Sequence, residues 1–426
     1  MSTSSLEASN MSPKEMLHAL FESAVDAADP AKNIAAYLPK GVERLLVIGA
    51  GKAAASMAKA VEDAWQGELS GLVVTRYGHS VPTSKIEVVE ASHPLPDEAG
   101  LQAAKRILSM AHEAGENDYV LCLISGGGSA LLSMPTAEIK FAEKQRINQQ
   151  LLKSGATIAE MNCVRKHLSA VKGGRLAQAV YPAQSLTLLI SDVPGDDLSV
   201  IASGPMVADP SSLADCLTII ERYDIAVSDT IMAWLQTPEA ETPKPDSKVF
   251  DKAELQLIAT PMMSLQAAAE KASELGLNVH VLSGEIEGEA KEIGKMHASL
   301  ARHIAHHESH KKPIVLLSGG ETTVTVKGKG RGGRNAEFLL SFVLQSQGAK
   351  GIYAIACDTD GIDGIEDNAG AIATPDTLQR ALDVGESASG RLENNDAYSF
   401  FKELDDLVMT GPTLTNVNDF RAVIII

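Results

Sequence analysis

The sequence predicts an α/β protein of two domains, because apolar runs of strand length alternate with longer segments of helical spacing along both halves of the chain. Two of these apolar runs, at 119–125 and 314–318, lead directly into glycine-rich loops. A segment rich in proline and charge, 237–254, separates the two series of elements. We therefore expect an N-terminal domain over 1–236, a linker over 237–254 and a C-terminal domain over 255–426.

The first half of the chain shows the alternation expected of a parallel sheet covered on both faces. Ser12, Pro13 and Glu15 form a capping box with proline at the first helical position, which predicts a helix to about Ala28. The elements predicted after it are a strand over 44–48, an alanine-rich helix, strands over 72–75 and 86–91, a helix over 97–114, a strand over 119–125, helices over 141–155 and 157–174, and a strand over 185–192.

The pattern restarts after the predicted linker. Thr260 and Pro261 are expected to cap a helix that follows a strand over 255–259. Residues 322–330 alternate in a way that predicts an antiparallel strand. The other predicted elements are a strand over 277–284, a helix to about His310, the strand 314–318, a helix from Arg334, and strands over 352–358 and 421–426.

Composition and charge limit the classes of partner. The formal net charge of −18 argues against nucleic acid as a bulk electrostatic partner. No apolar run approaches the ~20 residues of a membrane span, and the polar N-terminus lacks the apolar core of a signal peptide. The four cysteines form no CxxC pair, and two lie in apolar strand runs. We expect buried, reduced cysteines and a cytoplasmic protein.

The glycine-rich loops indicate anion binding. Backbone N–H groups exposed after a strand, beside a helix N-terminus, favour phosphate. Two such loops on two α/β units predict that both face one anionic ligand. The candidate nucleotide- and phosphate-binding residues are Gly49, Gly51, Ser125, Gly126, Gly127, Gly128, Ser129, Gly319, Gly320, Glu321 and Thr322.

The first glycine loop leaves two enzymatic functions open, beside a purely structural tight turn. Gly49, Gly51 and Ala54 match the dinucleotide fingerprint G-x-G-x-x-A. The acid expected about 20 residues later is missing, and Arg76 lies there, where it could meet the 2′-phosphate of NADP. Lys52 instead places a charge that a reacting phosphoryl group needs. The chain has neither a Walker A motif nor a nucleophile elbow, which disfavours a P-loop kinase and a serine hydrolase.

Charged residues in the second half have alternative interpretations. Asp358, Asp360 and Asp363 follow a strand in a glycine-containing turn and suit Mg²⁺, or they form an acidic turn that caps a helix. The basic segment 327–334, KGKGRGGR, is either a solvated loop or a lid that brings Arg334 to a transferring phosphoryl group.

Several long motifs, in order along nearly the whole chain, resemble those of the class II glycerate kinases, which carry a C-terminal MOFRL domain. These motifs are IGAGKAAASMA (48–58), SHPLPDEAG (92–100), LISGGGSALL (123–132), MNCVRKHLSAVKGGRLA (161–177), SDVPGDDLSVIASGP (191–205), LLSGGETTVTVKGKGRGGRNAEF (316–338), DTDGIDG (358–364) and GPTLTNVNDF (411–420).

The resemblance implies ATP- and Mg²⁺-dependent phosphorylation of D-glycerate to 2-phosphoglycerate. It also implies a Rossmann-like N-terminal domain with a parallel sheet, a smaller α/β MOFRL domain, and a cleft between them. Within this family Lys52 and Arg334 match the essential cations. Related chains have also been labelled hydroxypyruvate reductases, so an NAD(P)H-dependent hydroxypyruvate reductase is the alternative function.

The sequence thus predicts a kinase with its site in the interdomain cleft. Lys52 and Arg334 are expected to neutralise the transferring group, while Mg²⁺ is held by Asp192 or by the turn of Asp358, Asp360 and Asp363. One of these aspartates is expected to accept the proton of the glycerate hydroxyl. The expected partners are ATP and D-glycerate, with neither nucleic acid nor membrane, and a homo-oligomer is left open. A nucleotide-binding sensor without turnover is a third hypothesis.

Overall fold

The chain forms two compact units in a computed structural model that describes residues 11–136, 139–307 and 311–426. The first unit runs from Pro30 to Ile258, and the second combines the described residues up to Asp29 with Ala259–Ile426. These bounds differ from the predicted ones, because helix α1 (Pro13–Ala27) belongs to the second unit. Its apolar face, including Leu17 and Phe21, is buried in a core built from elements of that unit.

The first unit is built on the parallel sheet that the sequence predicts. Its six strands lie in the order β3-β2-β1-β4-β5-β6, and the pairs β1–β2, β1–β4, β2–β3 and β4–β5 are all parallel. Helices cover the apolar strands, and the central strands β1 and β4 are the most buried. The strands are β1 (Arg44–Ala50), β2 (Glu68–Arg76), β3 (Ile86–Ala91), β4 (Tyr119–Ile124), β5 (Gln184–Ile190) and β6 (Ala253–Ala259).

One predicted helix of the first unit is wrong in extent. The helix predicted over 157–174 ends at His167, and a further helix begins at Arg175. Gly173 and Gly174 have φ values of 58° and 80°, a left-handed conformation that cannot continue a right-handed helix. The helices of this unit are α2 (Pro30–Asn33), α3 (Ala54–Ala64), α4 (Glu98–Glu113), α5 (Gly128–Leu131), α6 (Phe141–Ser154), α7 (Ile158–His167), α8 (Arg175–Val180), α9 (Leu213–Arg222) and α10 (Asp229–Trp234).

The segment 237–254 is packed into the first unit. It contains short 3₁₀ turns at Pro238–Ala240 and Lys248–Phe250 and leads into β6. Ala240 and Thr242 are buried, and the Thr242 hydroxyl donates to Asp209 at 3.0 Å. In this part of the chain, the segment rich in proline and charge crosses the surface of the first unit and is held there by fixed contacts.

The second unit has a mixed six-stranded sheet in the order β13-β12-β11-β14-β9-β7. The C-terminal strand β14 lies between β11 and β9 and is antiparallel to both, whereas β7 and β9 are parallel. The strands of this unit are β7 (Asn278–Ser283), β8 (Gly288–Glu289), β9 (Ile314–Gly320), β10 (Thr322–Thr323), β11 (Ile352–Asp358), β12 (Gly370–Ala373), β13 (Leu407–Val408) and β14 (Asp419–Ile425).

The predicted antiparallel strand over 322–330 is wrong. Only β10 forms, and it pairs in parallel with β8. One predicted helix is observed over Ala290–His307, and its predicted end at His310 lies outside the described residues. Besides α1, the helices of this unit are α11 (Pro261–Glu274), α12 (Ala290–His307), α13 (Arg334–Ser346), α14 (Thr377–Asp383), α15 (Ala388–Glu393) and α16 (Ala397–Glu403).

The four cysteines are free thiols and all are buried, as the sequence predicts. Within the described ranges, none of the helices combines the length and the apolar character needed to span a membrane.

Candidate functional site

The two N-terminal glycine loops leave the sheet side by side. Ala50 and Ile124 are register partners at the carboxyl ends of β1 and β4, so the residues that follow these strands are neighbours. The strand order reverses between β1 and β4, and such a switch point is where open α/β sheets bind ligands. The topology therefore brings Lys52 and the loop Ser125–Ser129 to one edge of the first unit.

The loop after β1 is held by hydrogen bonds to the protein. Three consecutive N–H groups donate to protein acceptors. The N–H of Gly51 donates to Val74 O at 3.1 Å, that of Lys52 to Gly126 O at 2.8 Å, and that of Ala53 to Ser125 Oγ at 3.0 Å. A Cβ on Gly49 would lie 2.3 Å from the carbonyl oxygen of Leu123, so the strands approach too closely for any side chain. The geometry gives Gly49 and Gly51 a packing role, and phosphate binding by them stays a prediction.

The loop after β4 is better placed to meet an anion. Gly127 has φ +78°, and the described residues provide no acceptor for the N–H groups of Gly126 and Gly127. A Cβ on Gly127 would lie 3.1 Å from Nε2 of His93 and 3.2 Å from Cγ of Lys52. The loop is therefore flanked by a lysine side chain and an imidazole, with two backbone donors beside them.

A pocket of about 350 Å³ adjoins this loop within the first unit. One face of helix α6 lines it through positions spaced i, i+3, i+4 and i+7, which are Gln145, Asn148, Gln149 and Leu152. The other residues that line it are His93, Pro94, Leu95, Pro96, Gly127, Ser129, Ala130, Arg165 and Lys172.

Buried basic side chains lie at or near this pocket. Lys172 is 3% exposed, and its Nζ donates to the carbonyl and hydroxyl oxygens of Ser129, both at 2.7 Å. Burial, together with nearby Lys144 and Arg165, lowers the pKa of Lys172 well below its ordinary value. Burial and Arg165 also lower the pKa of Lys144 to about 7. These shifts favour the neutral amines, so an anion bound beside them would have to restore their protonated forms.

Asp192 lies two residues beyond β5, on the carboxyl edge of the same sheet, and is half-buried. β5 is the neighbour of β4, so Asp192 shares this edge with the loop Ser125–Ser129. Its predicted role as base or metal ligand stays a prediction.

In the second unit, Arg334 begins helix α13 and forms two close ion pairs. Its Nε lies 2.7 Å from Asp419 Oδ1, and one terminal nitrogen lies 2.9 Å from Asp358 Oδ2. A weaker contact of 3.8 Å joins it to Glu321. Burial alone would lower the pKa of Arg334, but these carboxylates raise it well above its ordinary value. Arg334 is therefore held rigidly by the sheet on which it packs.

Asp419 is the centre of this buried network. Its Oδ1 also accepts a hydrogen bond from the Asn335 side chain at 2.8 Å, and its Oδ2 lies 2.5 Å from Arg421. Arg421 is completely buried, and its guanidinium lies over the ring of Phe338 at 5.0 Å. Two arginines thus share one aspartate, which leaves Asp419 saturated with donors and sets the orientation of Arg334.

The three aspartates of the acidic turn after β11 have different hydrogen-bond and ion-pair partners. Asp363 is fully buried, and its two carboxylate oxygens accept the N–H groups of Asn335 and Ala336 at 3.0 and 2.8 Å. It therefore caps helix α13, and burial raises its pKa to about 6. Asp358 pairs with Arg334, and Asp360 accepts the N–H of Ile362 at 2.9 Å.

Among the described residues, no three His, Cys, Asp or Glu side chains form a group able to hold a metal ion. The structure thus does not bring Asp358, Asp360 and Asp363 together as a three-ligand centre. Mg²⁺ commonly needs only one or two carboxylates beside substrate phosphates. The predicted metal role of these aspartates stays a prediction.

We expect Asp363→Asn and Asp360→Asn to have different effects. The amide introduced by Asp363→Asn retains one acceptor for two N–H groups, so this variant should lose about 1–2 kcal/mol of stability while its Mg²⁺ requirement is unchanged. Asp360→Asn should raise the Mg²⁺ concentration needed for half-maximal activity. Urea denaturation and Mg²⁺ titration of turnover measure the two effects. An equal rise in Mg²⁺ requirement in both variants would instead make Asp363 a ligand.

The second predicted anion loop, Gly319–Thr322, has a different setting. Gly319 and Gly320 belong to β9, and no helix follows them. The Thr322 N–H donates to Asp419 Oδ2 at 3.3 Å, and the carbonyl oxygen of Gly319 accepts a hydrogen bond from Arg421. Thr322, Glu321 and Arg334 nonetheless line a pocket of about 450 Å³ within this unit. Phosphate binding by this loop stays a prediction.

The basic segment KGKGRGGR is attached to the second unit along its length. Backbone N–H groups from Lys327 to Arg331 donate to the side chains or backbone of 394–396 at 2.8–3.1 Å. Arg331 pairs with Glu366, and its guanidinium lies 4.5 Å from the ring centre of Tyr398. These contacts favour a fixed loop over both a solvated loop and a closing lid.

Comparison with known proteins identifies the family of this chain. Residues 16–236 match the model described as a domain of unknown function, DUF4147, and 314–419 match the MOFRL family. The D-glycerate 2-kinase of Thermotoga maritima is 41% identical over 411 residues, covering 95% of this chain and 97% of that protein. The chain belongs to the DUF4147/MOFRL glycerate kinase family.

Other relatives extend the comparison. The crystal structure of the Thermotoga maritima glycerate kinase matches with a TM-score of 0.89 at 40% identity, covering 97% of this chain and 99% of that one. A relative from Agrobacterium vitis carries the provisional name hydroxypyruvate reductase. It is 50% identical to this chain, and the match covers 98% of this chain and 95% of the relative. The glycerate kinase family thus includes members whose names imply different reactions.

Sequence reasoning missed several residues of the site. Lys172 and Arg165 lie in the motif MNCVRKHLSAVKGGRLA, and His93 lies in SHPLPDEAG. Their signal was a local excess of basic residues in an acidic chain. The prediction of one continuous helix over 157–174 hid this signal. In the structure the helix breaks before Gly173, and this break turns Lys172 towards Ser129.

Proposed function

We propose that this protein is a glycerate 2-kinase, which transfers the γ-phosphoryl group of ATP to the 2-hydroxyl of D-glycerate. The observation that carries the proposal is the full-length similarity to the D-glycerate 2-kinase of Thermotoga maritima. The geometry supports it, because Lys52 lies at the switch point of the first sheet and Arg334 at a helix start of the second unit. That both act on one ligand stays a prediction.

The pocket of the first unit suits a nucleotide better than a three-carbon acid. About 350 Å³ is within the range of pockets that enclose drug-sized ligands. Leu95 and Leu152 line it although they are 65% and 62% exposed, and such apolar surface fits a purine ring. The amide side chains of α6 suit the polar edge of a base. Lys172 and the loop Gly126–Ser129 would then lie towards the phosphates.

The proposed reaction needs alignment and charge neutralisation more than covalent help. The glycerate hydroxyl oxygen bonds to the γ-phosphorus, and the bond between that phosphorus and the bridging oxygen breaks to release ADP. Lys52 and Arg334 stabilise the charge on the transferring oxygens. Asp192 accepts the hydroxyl proton. Bound Mg²⁺ would neutralise phosphate charge, with Asp358 and Asp360 as its candidate protein ligands.

Hydroxypyruvate reduction is the second candidate, because the fingerprint and the names of some relatives favour it. A dinucleotide fold binds pyrophosphate with N–H groups at the first glycine loop and helix start. In this chain the N–H groups of Gly51, Lys52 and Ala53 donate to protein atoms instead. This internal bonding supports the kinase over the reductase.

The proposed function predicts ADP release that depends on both D-glycerate and Mg²⁺. A coupled ADP assay and an assay of NAD(P)H absorbance with hydroxypyruvate should be run on the same preparation. We expect turnover in the first and none above background in the second. NMR of the product should identify 2-phosphoglycerate.

Three outcomes would contradict the proposal. Oxidation of NADPH by hydroxypyruvate without ADP formation would identify a reductase. Binding of ATP without ADP release would identify a nucleotide sensor. A 3-phosphate product would retain the kinase and reject the regiochemistry.

A further inference from the structure

Two cysteines lie together in one apolar cluster of the first unit. Cys163 is on helix α7 and Cys216 on helix α9, and both belong to one apolar cluster between these helices. The Cys163 sulfur lies 4.0 Å from the carbonyl oxygen of Ser212, and the Cys216 N–H donates to that same oxygen at 3.1 Å, so the two residues are neighbours. Cys163 also lines a surface pocket of about 290 Å³ together with Ser211, Asp215 and Arg222. A small reagent in that pocket would meet Cys163 first.

A histidine and a glutamate extend the cluster. His167 lies one turn after Cys163, and its Nδ1 is 3.9 Å from the Cys163 sulfur and 2.8 Å from the Cys163 carbonyl oxygen. On the other side of the ring, Nε2 lies 3.3 Å from Glu241 Oε1. A carbonyl oxygen can only accept, so Nδ1–H of His167 donates to it. The ring then acts on the sulfur through its positive charge when protonated, a state that Glu241 stabilises.

The surrounding charges favour a thiolate at Cys163. The neighbouring Cys216 lowers the pKa of the Cys163 thiol most, burial opposes this effect, and His167 and Ser211 lower the pKa further, below its usual range. Burial lowers the pKa of His167, but its bonds to Cys163 and the charge of Asp209 raise it overall. The other titratable groups around the pair are Glu160, Asp215, Arg222 and Glu241. The contact with the His167 ring therefore favours the thiolate form of Cys163.

We propose that Cys163 is a peroxide-reactive cysteine and that Cys216 resolves it into an intramolecular disulfide. The Cys163 thiolate attacks H₂O₂, so that an S–O bond forms as the O–O bond breaks, and a proton completes the first water. The Cys216 thiol then attacks the sulfenic sulfur, and an S–S bond forms as the S–O bond breaks to release the second water. The dithiol loses two electrons, and one peroxide is reduced to two waters.

The chain provides two matched controls for this chemistry. Cys122 and Cys357 lie within strands β4 and β11 and are completely buried. Burial raises the pKa of both thiols, and Asp363 and Asp358 add to the effect at Cys357. Both should remain reduced under conditions that oxidise Cys163.

The test treats the full chain with one to a few equivalents of H₂O₂ and maps thiols by mass spectrometry. We expect loss of two thiols, a Cys163–Cys216 cross-linked peptide, and full reversal by dithiothreitol. Cys216→Ser should trap a dimedone-reactive sulfenic acid on Cys163. Cys163→Ser should slow oxidation at least tenfold and leave Cys216 reduced.

A second measurement tests the role of His167. The rate of iodoacetamide alkylation at Cys163 should follow a pH midpoint below the ~8.5 of an ordinary cysteine, and His167→Asn should move this midpoint upward. Equal oxidation of all four cysteines, a disulfide with Cys122 or Cys357, or an alkylation midpoint near 8.5 in the unmodified chain would overturn the proposal. If Cys216→Ser fails to fold, the alkylation profile of the parent protein still decides.

Discussion

Arg334→Ala should lower both the turnover and the stability of the protein. Asp358 and Asp419 have side chains only 4% and 0% exposed, and each would lose its contact with Arg334, although Asp419 keeps its ion pair with Arg421. Losing one cation of this buried network should cost less than the about 3–5 kcal/mol of breaking an isolated buried ion pair, because Asp419 keeps Arg421. Loss of a cation at a transferring phosphoryl group lowers kcat by about a thousandfold or more. Urea denaturation and ADP release, measured where circular dichroism shows folded protein, separate the two effects.

Two variants control this prediction. Arg106→Ala removes an arginine that also makes two hydrogen bonds, in this case both to Glu87. Because this pair is about half exposed, the variant should lose no more than about 1 kcal/mol of stability and keep its turnover. Arg334→Lys keeps the charge but cannot reach both aspartates, so it should recover part of the stability and little of the rate. A folded Arg334→Ala protein with more than a tenth of the parent kcat, an effect under ~1.4 kcal/mol, would exclude Arg334 from phosphoryl transfer.

Lys52→Ala should lower kcat by about a thousandfold or more with little loss of stability. Two contacts of this loop are made by the Lys52 backbone, since its N–H donates to the Gly126 carbonyl oxygen and its own carbonyl oxygen accepts a hydrogen bond from the Thr75 hydroxyl. Alanine keeps both bonds, so the free energy of unfolding should change by no more than about 1 kcal/mol. Melting curves and steady-state ADP release measure the two quantities.

The matched control for Lys52 lies on the following helix. Lys59→Ala removes a lysine that is 41% exposed and pairs with Asp63, so both stability and turnover should stay near parent values. Lys52→Arg keeps the charge and should retain more activity than alanine. If Lys52→Ala keeps its kcat and only raises KM for ATP, the lysine binds the ground state and does not act on the transition state.

Much of the fold follows from local pattern. The apolar runs became the buried strands β1, β4, β9 and β11, and the capping box at Ser12 begins helix α1 with both of its hydrogen bonds present. The proline signals located the starts of α1 and α11 at Pro13 and Pro261, because they act within a few residues of the backbone that they constrain. The same local signals missed the break between α7 and α8, where apolar helical spacing continued through the sequence.

The candidate site also combines features that follow from local sequence with features that depend on distant contacts. The sequence by itself determined which motifs carry lysine, arginine and aspartate at strand ends, because strand length and glycine position are local properties. Only the tertiary structure decided that Asp363 caps α13, that Asp419 pairs with Arg334 across 85 residues, and that Lys172 is buried against Ser129. Those roles depend on desolvation and on partners distant in the chain, and neither is encoded in the spacing of one segment.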